Sequence, residues 1–127
     1  MNKDIPKTFE IGTFKYRVKV KKKVILDKEE VAGTSDFYKN EIEIAKKIDK
    51  MKCSSDFKRQ TFYHELVHTI LDALGENELC ADEKFVQRFS LLLDQFEMTK
   101  KFRLYFFTTK TFHNFVLQNG VLCQREK

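Results

Sequence analysis

Two histidines four residues apart flank a glutamate in the segment His64-Glu65-Leu66-Val67-His68, which has the pattern H-E-x-x-H. On an α-helix, residues four apart differ by about 40° around the axis and about 6 Å along it, so both imidazoles can reach one ion. Zinc accepts neutral histidine nitrogen, and a catalytic zinc site keeps one position for water. Glu65 flanks the same helix face, where its carboxylate can act as general base toward that water. The motif therefore predicts a hydrolytic zinc site; the competing interpretation is a chance spacing on a solvated helix.

The residues around the motif predict the helix that it needs. Ser54 or Ser55 can cap the start of this helix, Leu71 and Leu74 continue its apolar stripe, and Gly75 lies where a left-handed residue would end it. Two of the three histidines in the chain belong to the motif. A metal-binding helix is therefore favoured over chance spacing.

The third ligand is expected after Gly75, in a second helix that Asn77 can cap and that runs antiparallel to the first. Four acidic residues of this segment can supply a carboxylate: Glu76, Glu78, Asp82 and Glu83. Glu83 lies on the stripe that must face the motif helix, whereas Asp82 is rotated from it by about 100°. We therefore predict Glu83 as the ligand, with Asp82 as the reserve. Each acid can instead compensate a helix dipole, which best explains Glu78.

Three further residues are candidates for the surroundings of the metal. Asp72 follows His68 by four residues and Gln87 follows Glu83 by four, so either can orient a ligand through a hydrogen bond. Each is equally well explained as an ordinary surface or helix-pair residue. Cys80 lies near the predicted metal helices, but a small buried thiol is favoured over a thiolate ligand.

Alternating apolar residues before the motif predict two β-hairpins. The first turns at Gly12-Thr13, with glycine in the position that a type II′ turn prefers. The second ends in a strand with Ile42 and Ile44 inward and Glu41 and Glu43 outward. We expect this strand to be an exposed edge that holds an extended substrate by strand addition.

Composition and length predict one α+β domain over residues 1–127, with its core at about 5–96 and a C-terminal extension of unknown role at 100–127. We expect a small antiparallel sheet packed against the motif helix and the second, ligand-bearing helix. No stretch approaches the roughly 20 apolar residues of a membrane span, so we expect no membrane partner and a cytoplasmic protein. Cys53, Cys80 and Cys123 are odd in number and far apart, which indicates no disulfide framework.

The net charge of +5 permits an acidic partner, including nucleic acid, without requiring one. Lys15, Arg17, Lys19 and Lys21 project from one face of a strand. The basic run Lys21-Lys22-Lys23 can contact phosphate, but the alternation favours a solvated sheet face.

Basic and aromatic residues are also interleaved in the tail, at Lys100, Lys101, Arg103 and Lys110. There, a core with a basic exterior is favoured over a surface that stacks single-stranded nucleic acid. Tyr105 and His113 can stabilise an oxyanion if the tail folds over the metal site.

With these residues laid out, the chain resembles the ImmA/IrrE-like zinc metallopeptidases, in particular the small proteins of phages and mobile elements of Gram-positive bacteria. The resemblance covers roughly residues 5–96. It rests on Ile5-Pro6-Lys7-Thr8-Phe9, on the strand Glu41-Ile42-Glu43-Ile44, on the H-E-x-x-H motif and on Asp82-Glu83-Lys84-Phe85-Val86. The chain departs from the family where Val67 replaces a frequent glycine. It also departs where Val86, Gln87 and Ser90 stand in place of alanine, asparagine and alanine.

The resemblance implies a minimal zincin in which His64, His68 and Glu83 bind zinc and Glu65 is the catalytic base. It implies hydrolysis of a peptide bond in a specific cytosolic protein, such as a repressor, inside a bacterial host. The alternative is a catalytically silent protein with the zincin fold that binds a host protein or nucleic acid. An intact Glu65 counts against that alternative, because a structural zinc site has no use for a base.

Overall fold

The computed structural model describes residues 4–103, in which short strands precede three helices. The strands are β1 (Thr8–Ile11), β2 (Phe14–Lys21), β3 (Ile25–Leu26), β4 (Glu29–Glu30), β5 (Gly33–Asp36), β6 (Glu41–Ala45), β7 (Lys47–Ile48) and β8 (Met51–Lys52). The helices are α1 (Ser55–Leu74), α2 (Asn77–Ala81) and α3 (Glu83–Thr99). The predicted α+β class is confirmed.

The main sheet has the strand order β1-β2-β6-β5. Both predicted hairpins are present, because β1 pairs antiparallel with β2 and β5 pairs antiparallel with β6. The first hairpin turns at Gly12, whose φ of 62° suits a glycine. However, β2 and β6 run parallel, with Val18 opposite Ile42. The sheet is therefore mixed, and the expectation of a wholly antiparallel sheet was wrong, because the second hairpin joins the first through β6 and not through β5.

The position of β6 also corrects the expected edge strand. β6 lies between β2 and β5, and the side chains of Ile42 and Ile44 are fully buried against α1. A strand that buries two isoleucines in the core is best placed at the centre of a sheet, where it has a partner on each side. The free edge nearest to α1's motif belongs instead to β5, between Gly33 and Asp36.

Glu41 is buried, contrary to the expectation that it points outward to solvent. Parallel pairing of β2 with β6 places acids beside the basic row: Glu41 accepts hydrogen bonds from Arg17 at 2.7 Å and Lys19 at 3.0 Å, and Glu43 pairs with Lys21. The hydrogen bond from Lys19 lowers the pKa of Glu41, and the charges of Lys19 and Arg17 act in the same direction. Three of the four basic side chains predicted on one face of β2, those of Arg17, Lys19 and Lys21, are therefore paired with acids of β6.

Helix α1 is the centre of the fold, with the sheet on one side and α3 on the other. Ile42, Ile44 and Phe62 form the core between α1 and the sheet. Val67, Leu71 and Val86 form a second core between α1 and α3. The chain thus buries apolar side chains on two sides of the helix that carries the motif, which fixes the orientation of that helix.

Both predicted ends of α1 are confirmed. The Ser54 hydroxyl accepts a hydrogen bond from the backbone N–H of Phe57 at 3.0 Å, as an N-cap does. Gly75 has a φ of 76° and ends the helix in the left-handed conformation. Leu74 is exposed, so the buried stripe ends one turn earlier than expected, at Leu71.

The predicted second helix is divided into α2 and α3 at Asp82. The carboxylate of Asp82 accepts a hydrogen bond from the N–H of Phe85 at 3.1 Å and caps α3, whereas Asn77 is the first residue of α2 and not its cap. The face of α3 that packs on α1 contains Val86, Ser90 and Asp94. Two large aromatic residues of α3, Phe89 and Phe96, lie off this face and are exposed.

A buried ion pair joins α1 to α3. Arg59 donates from Nε to Oδ1 of Asp94 at 2.6 Å and from Nη2 to Oδ2 at 3.2 Å, and it also contacts Asp56 at 2.8 Å. These hydrogen bonds raise the pKa of Arg59 above its ordinary value, so its guanidinium stays charged. Among residues 4–103, no helix is long and apolar enough to cross a membrane.

Candidate metal centre

The motif histidines lie on the side of α1 that faces the start of α3. Their ring centroids are 5.0 Å apart, and both side chains are partly buried. One helical turn separates the two residues, so their rings project toward the same space. The geometry that the four-residue spacing predicted is present.

Glu83, the first residue of α3, completes a group of three ligand-type side chains. Its Oε1 lies 3.0 Å from Nε2 of His64, and its Oε2 lies 3.2 Å from Nε2 of His68. Of the two acids considered as the third ligand, Glu83 lies with the histidines, whereas Asp82 uses its carboxylate to cap α3. Because the predicted helix is interrupted at Asp82, Glu83 is the first residue of α3. The N-cap hydrogen bond of Asp82 stabilises that end of the helix.

The chemistry of these donors fits a divalent metal such as zinc. Ligand atoms around a tetrahedral zinc ion with bonds of about 2.0 Å lie about 3.3 Å apart. One ligand atom from each of the three side chains lies within 4.8 Å of the others, so small side-chain movements would bring them to that spacing. One carboxylate and two imidazoles are the ligand set of several catalytic zinc sites, in which a fourth position stays open. The Glu83 side chain is 69% exposed, so the group of three side chains is open to solvent on the side of Glu83.

The contact with Gln87 determines which ring nitrogen of His64 faces Glu83. The Nδ1–H of His64 donates to Oε1 of Gln87 at 2.8 Å, because an amide oxygen can only accept. In a neutral imidazole, Nε2 then carries a lone pair that points toward the carboxylate of Glu83. This tautomer leaves Nε2 as the nitrogen that a metal ion would use, on the side of the ring that faces Glu83. Of the two residues predicted to orient a ligand, Gln87 forms a hydrogen bond with a motif histidine.

His68 has a different neighbour at its other nitrogen. The Sγ of Cys80 lies 3.7 Å from Nδ1 of His68, and its thiol donates to the carbonyl oxygen of the same residue at 3.4 Å. Burial raises the pKa of Cys80, which keeps it a neutral thiol. Within the described part of the chain, Cys80 and not Asp72 contacts the imidazole of His68.

Glu65 lies beside the three ligand-type residues and belongs to the wall of the same cavity. Its side chain is buried, and its Oε1 accepts a hydrogen bond from the Ser35 hydroxyl at 2.6 Å. Burial raises the pKa of Glu65, while the hydrogen bond from Ser35 acts in the opposite direction. A carboxylate whose pKa is raised accepts a proton more readily near neutral pH, as a general base must.

Gly33 allows β5 to lie against α1. A Cβ atom at this position would come within 2.6 Å of Cγ2 of Thr61 and 2.9 Å of the carbonyl oxygen of Glu43. A larger residue would therefore push β5 away from α1 and move Ser35 away from Glu65. Neither Gly33 nor Ser35 stood out in the sequence, because the contacts that make them important join segments about 30 residues apart.

The cavity has a volume of about 580 Å³ and runs between β5 and α1. One wall contains the edge strand with Thr34 and Ser35, and the other contains the motif side chains. Leu26 and Phe57 add apolar surface to its rim. This size suits a short stretch of extended peptide with one or two side chains.

Several sequence expectations lie outside the described residues. They concern Tyr105 and His113 as oxyanion stabilisers, Lys110 in a basic aromatic surface, and Cys123.

Comparisons with protein-family models, curated proteins and solved structures gave no match. The resemblance to ImmA/IrrE-like metallopeptidases therefore stays a prediction that rests on the quoted residues.

Proposed function

We propose that the protein is a zinc-dependent endopeptidase that hydrolyses a peptide bond in a specific cytosolic protein. The observation that carries this proposal is the convergence of His64, His68 and Glu83 beside the buried carboxylate of Glu65. Three ligand donors alone suit a structural ion. A buried carboxylate that lies outside this group of three, and is held by its own hydrogen bond, suits a catalytic one.

Each residue has a role in this proposal. His64, His68 and Glu83 would hold zinc, which when bound supplies Lewis-acid polarisation of a carbonyl and acidifies water. Glu65 accepts the proton of the attacking water and delivers it to the leaving amine. Ser35 orients the Glu65 carboxylate, and Gln87 fixes the tautomer of His64.

Substrate binding is proposed at the free edge of β5. In the described part of the chain, β5 pairs with β6 on one side only, and its other edge borders the cavity. Backbone groups along such an edge can pair with an extended peptide and place its carbonyl near the metal residues. This transfers the expected strand addition from β6 to β5.

The resemblance described above supports the same proposal and suggests its setting. By similarity, the protein would act in the cytoplasm of a bacterial host, would be encoded by a phage or mobile element, and would cut a protein such as a repressor. Nucleic-acid binding gains no support from the sheet, because Arg17 and Lys19 are paired with Glu41, and Lys21 with Glu43.

Elemental analysis of purified protein tests the metal site. We expect about one zinc per chain in the wild type and in Glu65→Gln, and loss of zinc in His64→Ala and Glu83→Ala. Two controls separate Glu83 from its acidic neighbours: Glu78→Ala removes an exposed acid of α2, and Asp82→Ser removes a carboxylate while keeping an N-cap. Both controls should retain zinc. A wild type without stoichiometric metal after zinc is supplied would contradict the proposal.

Peptide cleavage tests the reaction itself. A bacterial lysate, digested to peptides and blocked at its amino termini, is incubated with zinc-loaded wild type or zinc-loaded Glu65→Gln. New amino termini, identified by mass spectrometry, should appear with the wild type and be absent with the variant. Equal numbers of new termini would indicate a contaminating protease. None with either protein, when intact host lysate is also uncut, would favour the binding-protein alternative.

A further inference from the structure

Helix α3 has a second apolar face, which points away from α1. Its members are spaced at i, i+4, i+7 and i+11: Phe85, Phe89, Leu92 and Phe96. Three of them are largely exposed, at 51% for Phe89, 68% for Leu92 and 59% for Phe96. We call these four residues the α3 stripe. On a helical wheel the stripe is centred about 130° from the buried residues Val86, Ser90 and Asp94. Its first member, Phe85, still packs at the margin of the core between α1 and α3, whereas the other three members are exposed.

The stripe is shaped to receive other side chains. A recess of about 410 Å³ lies at its N-terminal half, beside Phe85, Phe89 and Leu92. Apolar residues at this spacing are typical of a helix face that packs against another segment. Exposed apolar patches of a few hundred Å² are often interaction sites.

The chain leaves α3 next to the stripe. Lys100 ends the helix, and its Nζ lies 5.9 Å from the ring centroid of Phe96 and 5.4 Å from that of Phe102. One ammonium group therefore bridges the last member of the stripe and the first aromatic residue after the helix. The segment that follows Arg103 begins where the stripe ends.

The composition and length of that segment suit the stripe. Residues 104–127 number 24, and eleven of them are hydrophobic, including Phe106, Phe107, Phe112 and Phe115. The stripe is about 16 Å long, since eleven residues at about 1.5 Å each separate its ends. Five extended residues, at about 3.3 Å each, would already cover it. Residues 104–127 are therefore long enough to lie along the whole stripe.

A second copy of the chain is a weaker occupant. The exposed parts of the stripe amount to roughly 400 Å², given that an aromatic side chain can bury about 150–250 Å². A stable protein–protein interface needs about 800 Å² per partner. A covalently connected segment needs less area, because its effective concentration is in the millimolar range.

We propose that residues 104–127 dock on the α3 stripe and cover it. The docked segment holds α3 from the side opposite α1, and α3 carries Glu83 and Gln87 at its start. This proposal concerns the packing of the chain and does not depend on zinc or on peptidase activity.

A single tryptophan tests the proposal, because the chain contains none. Phe106→Trp and Phe115→Trp are made separately in the full-length chain, and fluorescence emission is recorded. We expect blue-shifted emission, which reports a buried indole, in at least one of them. Adding Leu92→Asp with Phe96→Asp to that reporter should shift the emission to the red. Leu91→Asp is the matched control: it charges an exposed leucine on a different face of α3 and should leave the emission blue.

The other outcomes overturn the proposal. Red emission from both reporters in the unaltered background means that the segment is not docked. Blue emission that survives the stripe substitutions means that it is buried elsewhere. Emission that turns red on dilution, together with a dimer in light scattering, assigns the stripe to a second copy. Far-UV circular dichroism checks that α3 remains folded, and Leu92→Gln alone replaces the double substitution if it does not.

Discussion

The hydroxyl of Ser35 lies 2.6 Å from Oε1 of Glu65, so the edge strand β5 holds the carboxylate of the motif helix. The same hydroxyl oxygen lies 3.2 Å from the backbone carbonyl oxygen of Glu65, so its one proton is shared between two acceptors of a single residue. The strand proposed to bind substrate is therefore the strand that orients the proposed base. Displacement of β5, by a substrate or a substitution, would be transmitted directly to Glu65.

Ser35→Ala should lower peptidase activity without removing the metal. The substitution leaves the carboxylate of Glu65 free to rotate, and misplaced general bases lose much of their contribution of about 10²–10⁴ to the rate. We expect kcat to fall about tenfold or more, with KM little changed and zinc content equal to that of the wild type. Ser35→Thr, which keeps a hydroxyl, should restore much of kcat. An equal loss in both variants would mean that packing, not the hydrogen bond, is responsible.

Gln87→Leu should weaken zinc binding. The substitution removes the acceptor for Nδ1–H of His64, and loss of such a partner typically lowers metal affinity about 10–100-fold. Competition with a chelator of known affinity measures the change. Gln87→Glu keeps an acceptor and should bind zinc at least as well as the wild type. Gln95→Leu, on an exposed part of the same helix, is the control and should have no effect.

Much of the site was predictable because its signals are local. The Ser54 cap, the Gly75 end and the approach of His64 to His68 each depend on residues within one helix. Glu83 was also accessible, since helical periodicity alone places it on the face that meets α1. The sequence pattern was sufficient wherever the position of a residue depended on a single helix.

The errors arose where two distant segments compete. The acidic residues of β6 were expected in solvent, yet Arg17 and Lys19 of β2 neutralise Glu41 within the sheet. The order of strands depends on which edges of the two hairpins bury more apolar surface when they pair. The alternation of residues within one strand gives no information about that choice. Ser35 and Gly33 carry no recognisable signal, because a serine or glycine in a short strand is equally compatible with an ordinary turn or edge.

Stability at acid pH should depend on Glu41. The hydrogen bond from Lys19 lowers the pKa of Glu41 in the folded state, below the unfolded value of about 4.3. The folded state therefore binds fewer protons there, and the stabilisation is present above pH 4.3 and is lost as the pH falls through the lowered value. Urea unfolding at several pH values should show a smaller loss of stability on acidification in Glu41→Gln than in the wild type. Glu29→Gln, an exposed residue of β4, should retain the wild-type slope; the same slope in Glu41→Gln would exclude this role.

Arg59→Met should destabilise the fold strongly, because it leaves the buried carboxylate of Asp94 without its partner. Breaking a buried ion pair in this way costs about 3–5 kcal/mol, whereas replacing both partners with apolar residues is often close to neutral. Arg59→Met with Asp94→Leu should therefore recover most of the free energy of unfolding, measured by urea denaturation. Lys58→Met, at the preceding residue, is the control and should change stability by less than about 0.5 kcal/mol. If the double variant is as unstable as Arg59→Met, then the packing of the Arg59 side chain, and not its ion pair with Asp94, holds α1 against α3. Zinc affinity of the double variant then decides whether the pair matters for the site: unchanged affinity means that apolar packing alone keeps Glu83 opposite the two histidines.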